Sequence, residues 1–163
     1  MKESTLSIDR TISKEELLSL IKAGVCASNC RNNELWEFIV VNDREQLDKV
    51  ANLLPYAASL HDSPAAILVC ADKKKAGFDH QNDFWAQDCS AATDKILCAA
   101  ENLGLKADWT AIHPVEKRVN AMKDAFSLPD NVVPLNLIPV NTKNGNNENR
   151  DMDFNAIHWN NWK

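Results

Sequence analysis

Apolar and polar positions along the chain alternate between a helical and a strand period, and the switches mark the elements. Behind a capping box of Ser13 and Glu16, Leu17, Leu20, Ile21 and Val25 recur at helical spacing and predict a helix over about residues 14 to 27. Trp36 to Val41, WEFIVV, is aromatic and β-branched and reads as a buried strand. Asp43 and Gln46 form a second capping box before Leu47, Val50, Ala51 and Leu54, a helix that Pro55 helps to end, with a further helical turn expected over Tyr56 to His61. After the Ser63-Pro64 break, Ala65 to Ala71, AAILVCA, is a continuous apolar run of strand length, as expected in the interior of a sheet. Lys106 to Ile112 reads as a strand with Trp109 at its centre, and Pro114 opens a helix whose stripe is Val115, Val119, Met122 and Phe126. Val132 to Val140, VVPLNLIPV, is strand-like, but Pro134 and Pro139 confine it to an edge or to places where the ladder is broken.

The segment from Asp83 to Thr110 combines a start signal, an unbroken helical period and a stop signal. Asp83 can cap its first turn and Gly104 can close its last in a left-handed conformation. Trp85, Cys89, Ala92, Ile96, Ala99 and Leu103 share one face of a helix about 30 Å long. Ala86, Ala91, Leu97, Cys98 and Ala100 widen the apolar surface, mostly with small residues, so this is a central helix packed on two sides. Mixed strands and helices without internal repeats predict one α+β domain spanning the 163 residues, long enough to bury about 70% of its unfolded surface.

Composition narrows the function classes. A net charge of -5 without a basic run argues against nucleic acid or an anionic membrane as the main partner. No apolar run approaches the length of a membrane span and MKESTLSIDR lacks the apolar core of a secretory signal, so a cytoplasmic location is expected. The five cysteines read as reduced thiols used as small apolar residues, and Cys26 and Cys30 have no partners at zinc-site spacing. His113, before Pro114, is most simply a cap-region residue. The loop Ser28 to Leu35 gathers Asn29, Arg31, Asn32, Asn33 and Glu34 between a helix and a strand, a set suited either to a solvated turn or to binding. Residues 141 to 153 have linker chemistry, yet Phe154, Ile157, Trp159 and Trp162 follow, so this end is expected to dock on its own chain or on a partner subunit.

The run FWAQDCSAATDKILCAAENLGLKADWT, followed by PLNLIPV and IHWNNW, resembles the flavin-dependent nitroreductase family, as does WEFIVVNDREQLDKVANLLP. The resemblance extends from about Ile12 to Trp162. It implies a mixed, mostly antiparallel sheet flanked by helices. It further implies an obligate homodimer with FMN at each of two subunit interfaces, and a C-terminal arm over residues 141 to 163 that embraces the partner. NAD(P)H would pass a hydride to the flavin and a small acceptor would be reduced in the same pocket, with no dedicated proton-transfer residue required.

Carried over position by position, the resemblance implies cofactor contacts at Lys2, Asn29, Arg31, Asn32, Glu34, Thr110, Ala111 and Asn161. The family's R-R-S-x-R stretch falls on Met1 to Thr5, MKEST, where only Lys2 is basic. Its A-P-S-x-x-N-x-Q-P-W pattern falls on Ala27 to Trp36, ASNCRNNELW, which keeps Asn32 and Trp36 but puts Asn29 for serine and Glu34 for glutamine. An ionised Glu34 would lower the flavin potential or weaken binding of the reduced state. The W-T-G stretch, whose backbone amides approach the flavin N5, becomes Trp109, Thr110 and Ala111; the contact survives if the backbone angle suits alanine. I-P-x-G-Y-P becomes IPVNTK, and N-R-W becomes Asn160, Asn161 and Trp162. Two lost phosphate contacts cost about 3 to 6 kcal/mol, on the order of 10² to 10⁴ in affinity, unless Arg10, Arg31, Arg150 or Lys163 substitutes. The implied activity is an FMN-dependent NAD(P)H oxidoreductase acting on a nitroaromatic, quinone or similar acceptor. The alternative is a flavin-poor dimer of the same fold serving as a binding or regulatory protein.

Overall fold

The computed structural model describes residues 11–29, 34–75, 84–142 and 151–162. The elements run α1 (Lys14–Val25), β1 (Trp36–Val41), α2 (Arg44–Leu53), a 3-10 turn (Ala58–His61), β2 (Ala65–Asp72), α3 (Trp85–Asn102), β3 (Lys106–Ala107), β4 (Thr110–Ala111), α4 (Glu116–Phe126), β5 (Val132–Asn141) and a second 3-10 turn (Phe154–Ala156). The strands lie in the order β1-β2-β5-β3, with β4 also on β5, and every pairing is antiparallel.

Strand alternation divides the apolar residues between two cores. On one face Trp36, Ile67, Val69, Ala71, Ile138 and Val140 pack with Leu20 of α1 and with Cys89, Ala92 and Ile96 of α3. On the other, Val41, Ala66, Leu68, Cys70 and Leu137 pack with Leu47 and Val50 of α2 and Met122 of α4. Because β2 is covered on both sides, an unbroken apolar run suits it better than an alternating one. The helix α3 lies between α1 and the sheet, as its wide apolar surface predicts. Gly24 lets the helices approach: a Cβ there would stand 3.1 Å from Ile96 and 3.2 Å from Phe38. Burial pushes the thiols of Cys70 and Cys89 up to about 12, which makes them packing groups and not nucleophiles.

Helix ends follow local chemistry where their partners are local. Ser13 and Glu16 form the reciprocal box, with Glu16 N donating to Ser13 Oγ at 3.1 Å and Ser13 N to Glu16 Oε2 at 2.9 Å. Gly104 sits at φ 70 beyond α3. Asp83, the expected cap of α3, lies outside the described residues. At α2 only half of the expected box forms. Asp43 accepts from Gln46 N at 2.9 Å, but the Gln46 side chain donates to Ala125 O at 3.1 Å and ties α2 to the end of α4.

The two prolines of β5 act in the ladder of a central strand and not at an edge. Val69 pairs with Asn136 and Cys70 with Pro134, so Leu135 is an extra, bulged residue. The bulge switches parity. Before it, Val133 and Leu135 join the α1/α3 core; after it, Ile138 and Val140 do. Asn136 therefore faces α3, where its Nδ2 donates to Thr93 Oγ1 at 3.0 Å and Thr93 Oγ1 donates to Cys89 O at 2.8 Å. Opposite Pro139, which has no N–H, the expected strand from Lys106 to Ile112 loses its pairing and divides into β3 and β4. The two pieces keep one register, Lys106 with Asn141 and Ala111 with Asn136.

Candidate functional site

Of the polar loop after α1, Asn29 and Glu34 are described, while Arg31 and Asn32 lie outside the described residues, as does Lys2. Asn29 is half-buried, and its side-chain Oδ1 is buried without a hydrogen-bond partner among the described residues. A buried carbonyl oxygen of this kind calls for a donor, which a bound ligand or water can supply. Glu34 is exposed where the chain re-enters the sheet, and Leu35 O there accepts from Asp72 N at 2.7 Å. Nearby, Lys75 Nζ donates to Glu37 Oε1 at 2.5 Å. That bond, against an opposing effect of desolvation and with help from the charges of Glu37, Asp72 and Glu34, holds the Lys75 ammonium above its ordinary value. Glu34 thus belongs to a charge group that contains its own cation.

Thr110 and Ala111 occupy the outer side of β5, and the hydrogen-bond pattern distinguishes them. Ile112 N donates to Leu135 O at 2.9 Å. In antiparallel pairing every second residue turns both backbone groups toward the partner strand. With Ile112 facing β5, Thr110 faces it too, and Ala111 turns its N–H and C=O outward. The outward carbonyl is held by Arg118, whose Nη1 donates to Ala111 O at 2.8 Å. Among the described residues only Ser127 and Asn160 combine a side chain with positive φ, so the Ala111 backbone angle suits alanine. Of the two amides at this position, that of Ala111 is the one turned outward.

The strands next to the two groups are not neighbours in the sheet. From β1, which leaves the polar loop, to β4 is three strand spacings, about 14 Å. Asn161 belongs to neither. It is exposed, and its N–H is used in a turn with Trp159 O at 2.8 Å, next to the left-handed Asn160 and a His158–Trp162 ring stack at 4.1 Å. The FMN that the sequence resemblance implies is therefore matched in part. An outward N–H donor and an orphaned carbonyl acceptor suit a ring system that both accepts and donates hydrogen bonds, so the ring half fits. The expected phosphate cations Lys2 and Arg31 fall outside the described residues.

Two features escape the sequence patterns. Arg118 lies on α4 with its guanidinium 5.1 Å from the Tyr56 ring centroid, and nothing in the local sequence announces its reach to β4. His113, expected in the cap region, is not the cap of α4, whose N-cap is Val115. Its ring meets Trp85 edge-on at 4.7 Å, its N–H donates to Leu135 O at 3.0 Å, and Lys73 Nζ lies 5.7 Å from the Trp85 ring. Among the described residues, no helix is long and apolar enough to cross a membrane.

No family model matches the chain. A protein of Methanothermobacter thermautotrophicus, provisionally named NADH dehydrogenase/NAD(P)H nitroreductase, is 38% identical over 155 residues, covering 94% of this chain and 80% of its own. The crystal structure of a protein of Parabacteroides distasonis with the same provisional name has a TM-score of 0.87 at 39% identity, covering 94% of this chain and 89% of that one. An FMN-dependent nitroreductase from Clostridium difficile superposes with a TM-score of 0.84 at 25% identity, covering 94% and 91% of the two chains.

Proposed function

The chain belongs to the nitroreductase family, and from that premise we propose that it is an FMN-dependent NAD(P)H oxidoreductase that reduces a small nitroaromatic, quinone or similar acceptor. The observation that carries the reading is the Ala111 amide, turned outward from the sheet at a backbone angle open to alanine. When bound, the flavin supplies the two-electron chemistry, accepting a hydride from NAD(P)H and releasing the electrons to the acceptor. The protein's part is placement. Ala111 N–H would donate to the electron-rich edge of the ring and Asn29 Oδ1 would accept from a ring N–H, while Thr110, locked in the β5 ladder, fixes the strand. Glu34 adds negative charge near the ring, tempered by Lys75. Lys2, Arg31 and Asn32 are assigned to the phosphate end and the loop between, and Asn161 to the terminal position of that same site.

The separation of the two groups within one chain supports a site completed by a second copy, and so a homodimer in which residues 141 to 163 form an arm on the partner. Exposure supports the arm: Phe154, Trp159 and Trp162 are largely exposed and belong to no core cluster among the described residues. The single domain and the arm are parts of this same proposal.

The visible spectrum of the freshly purified protein, with mass identification of anything released on denaturation, tests the reading first. A yellow protein that yields FMN and oxidises NAD(P)H with a nitroaromatic or quinone acceptor is expected. No turnover after FMN is supplied refutes it. One observation favours the flavin-poor alternative: Asn161 stands where the resembled family has an arginine, and it spends its N–H locally on Trp159 O. Stoichiometric flavin retained through dialysis removes that alternative.

A further inference from the structure

We infer that Arg118 is a positioning residue for the outward amide of Ala111 and supplies the positive charge beside it, forming with it a two-part cradle for the electron-rich edge of a flavin ring. The inference rests on the flavin reading above. Its starting point is the weakness of β4 as a strand. It has two residues, its continuation into β3 is interrupted opposite Pro139, and among the described residues its pairing is confined to one side, on β5. The β5 ladder fixes Thr110, but the outward N–H and C=O of Ala111 have no ladder partner, so a contact from outside the ladder adds to their order.

Arg118 is that support. Its Nη1 bond to Ala111 O approaches from the same side on which Ala111 N–H points, because both groups of an outward residue leave the strand together. The guanidinium is itself held, from behind by helix α4 and across its plane by the Tyr56 ring at 5.1 Å. A planar, permanently charged fork with one donor committed to a carbonyl keeps further N–H groups and its charge at the strand edge. Tyr56 is mostly exposed, and a ring in that position adds little to the core while it orients the guanidinium. The charge has a consequence of definite sign. A cation at the ring edge favours the electron-rich reduced flavin over the oxidised one, the reverse of the effect of Glu34.

The test uses the full chain with Arg118→Gln, Arg118→Lys and Tyr56→Leu, and far-UV circular dichroism confirms folding. Flavin fluorescence titration and dye-equilibrated reduction are the readouts in the loaded protein. Arg118→Gln is expected to weaken oxidised-FMN binding several-fold and reduced-flavin binding about tenfold further, which lowers the midpoint potential by about 30 mV for two electrons. Arg118→Lys keeps the charge without the fork, and so restores the potential more fully than the affinity. A folded Arg118→Gln protein with wild-type affinity and potential overturns the inference. If Arg118→Gln does not fold, Tyr56→Leu is read instead; smaller shifts of the same sign support the inference and unchanged values overturn it.

Amide order parameters in flavin-free protein separate failure of this inference from failure of the flavin reading. Loss of Arg118 or of its Tyr56 platform should lower the value at Ala111 from about 0.85 toward 0.6. Unchanged order removes the positioning role even if FMN binds. Lowered order in a protein that never takes up FMN keeps the positioning role and refutes both the flavin reading and the cradle.

Discussion

Two pairs of tryptophans have opposite fates. Trp36 and Trp85 are each 5% exposed in the core between the sheet and α1/α3, whereas Trp159 and Trp162 are 78% and 86% exposed near the C-terminus. Burying a tryptophan removes roughly 150–250 Å² from water, worth about 4–6 kcal/mol as an upper estimate. The body of the chain has collected that energy and the C-terminal segment has not. The body can therefore be understood from its own contacts, while the last described stretch, which also holds exposed Met152 and Phe154, is understandable only with something laid against it. The proposed dimer supplies that surface.

The largest expected effect tests the exposed pair. Replacing Trp159 and Trp162 together with Ser should leave the unfolding of the full chain, diluted to monomer, unchanged but weaken self-association at least about 10³-fold, since buried anchor residues cost about 2 kcal/mol or more each on truncation. Sedimentation over a concentration series reads this directly, and a dimer of unaltered affinity would detach the arm from the interface. The converse experiment is Leu68→Ala. Leu68 is fully buried at the centre of β2, and its truncation should cost about 2–5 kcal/mol in denaturant unfolding. If Leu68→Ala and the tryptophan pair changed association and unfolding alike, the contrast between a self-sufficient body and a dependent arm would fail.

A smaller effect, in the body alone, concerns the polar seam inside the core. Thr93→Val removes the hydroxyl that bonds Cys89 O and Asn136 and leaves the Asn136 amide buried with one partner fewer. About 1–3 kcal/mol of destabilisation is expected from denaturant midpoints. A neutral result would mean that the bulge at Leu135 is held by pairing alone.

What could be read from the sequence divides along a similar line. Elements specified by neighbours in the chain were legible: the Ser13–Glu16 box, the left-handed Gly104, the apolar run of β2 and the wide face of α3. Elements specified by distant partners were not. Gln46 has the spacing of a capping box, but α4 offers its side chain a carbonyl at Ala125. The prolines of β5 announced a broken ladder, yet which strand breaks, and that Leu135 is the bulged residue, depends on register with β2 and β4. The candidate site shows the same division. The polar loop and the Trp109–Ala111 stretch stand out locally. That Ala111 faces outward follows from a bond between Ile112 and Leu135, and that Arg118 holds it follows from the packing of α4.

The smallest expected effect is a pH dependence confined to the body's rim. Arg44 closes the 3-10 turn by donating to Leu60 O at 2.7 Å and Ser63 O at 3.0 Å, while its Nη2 also pairs with Asp48 Oδ1 at 2.8 Å. The hydrogen bond from Arg44, helped by a weaker one from His61 and opposed by desolvation, holds the Asp48 carboxyl below its ordinary value. A carboxyl depressed in the folded state stabilises fully above its unfolded value and loses that contribution as pH falls through the folded one. Asp48→Asn should therefore lower the unfolding midpoint slightly at neutral pH, with the difference from wild type shrinking as pH falls below about 4. Both partners are nearly half exposed, so added salt should shrink the same difference. Because α2 and the 3-10 turn belong to the body, self-association should not respond at any pH. A change there would place this rim in the interface and extend the region that depends on a partner well beyond the C-terminal segment.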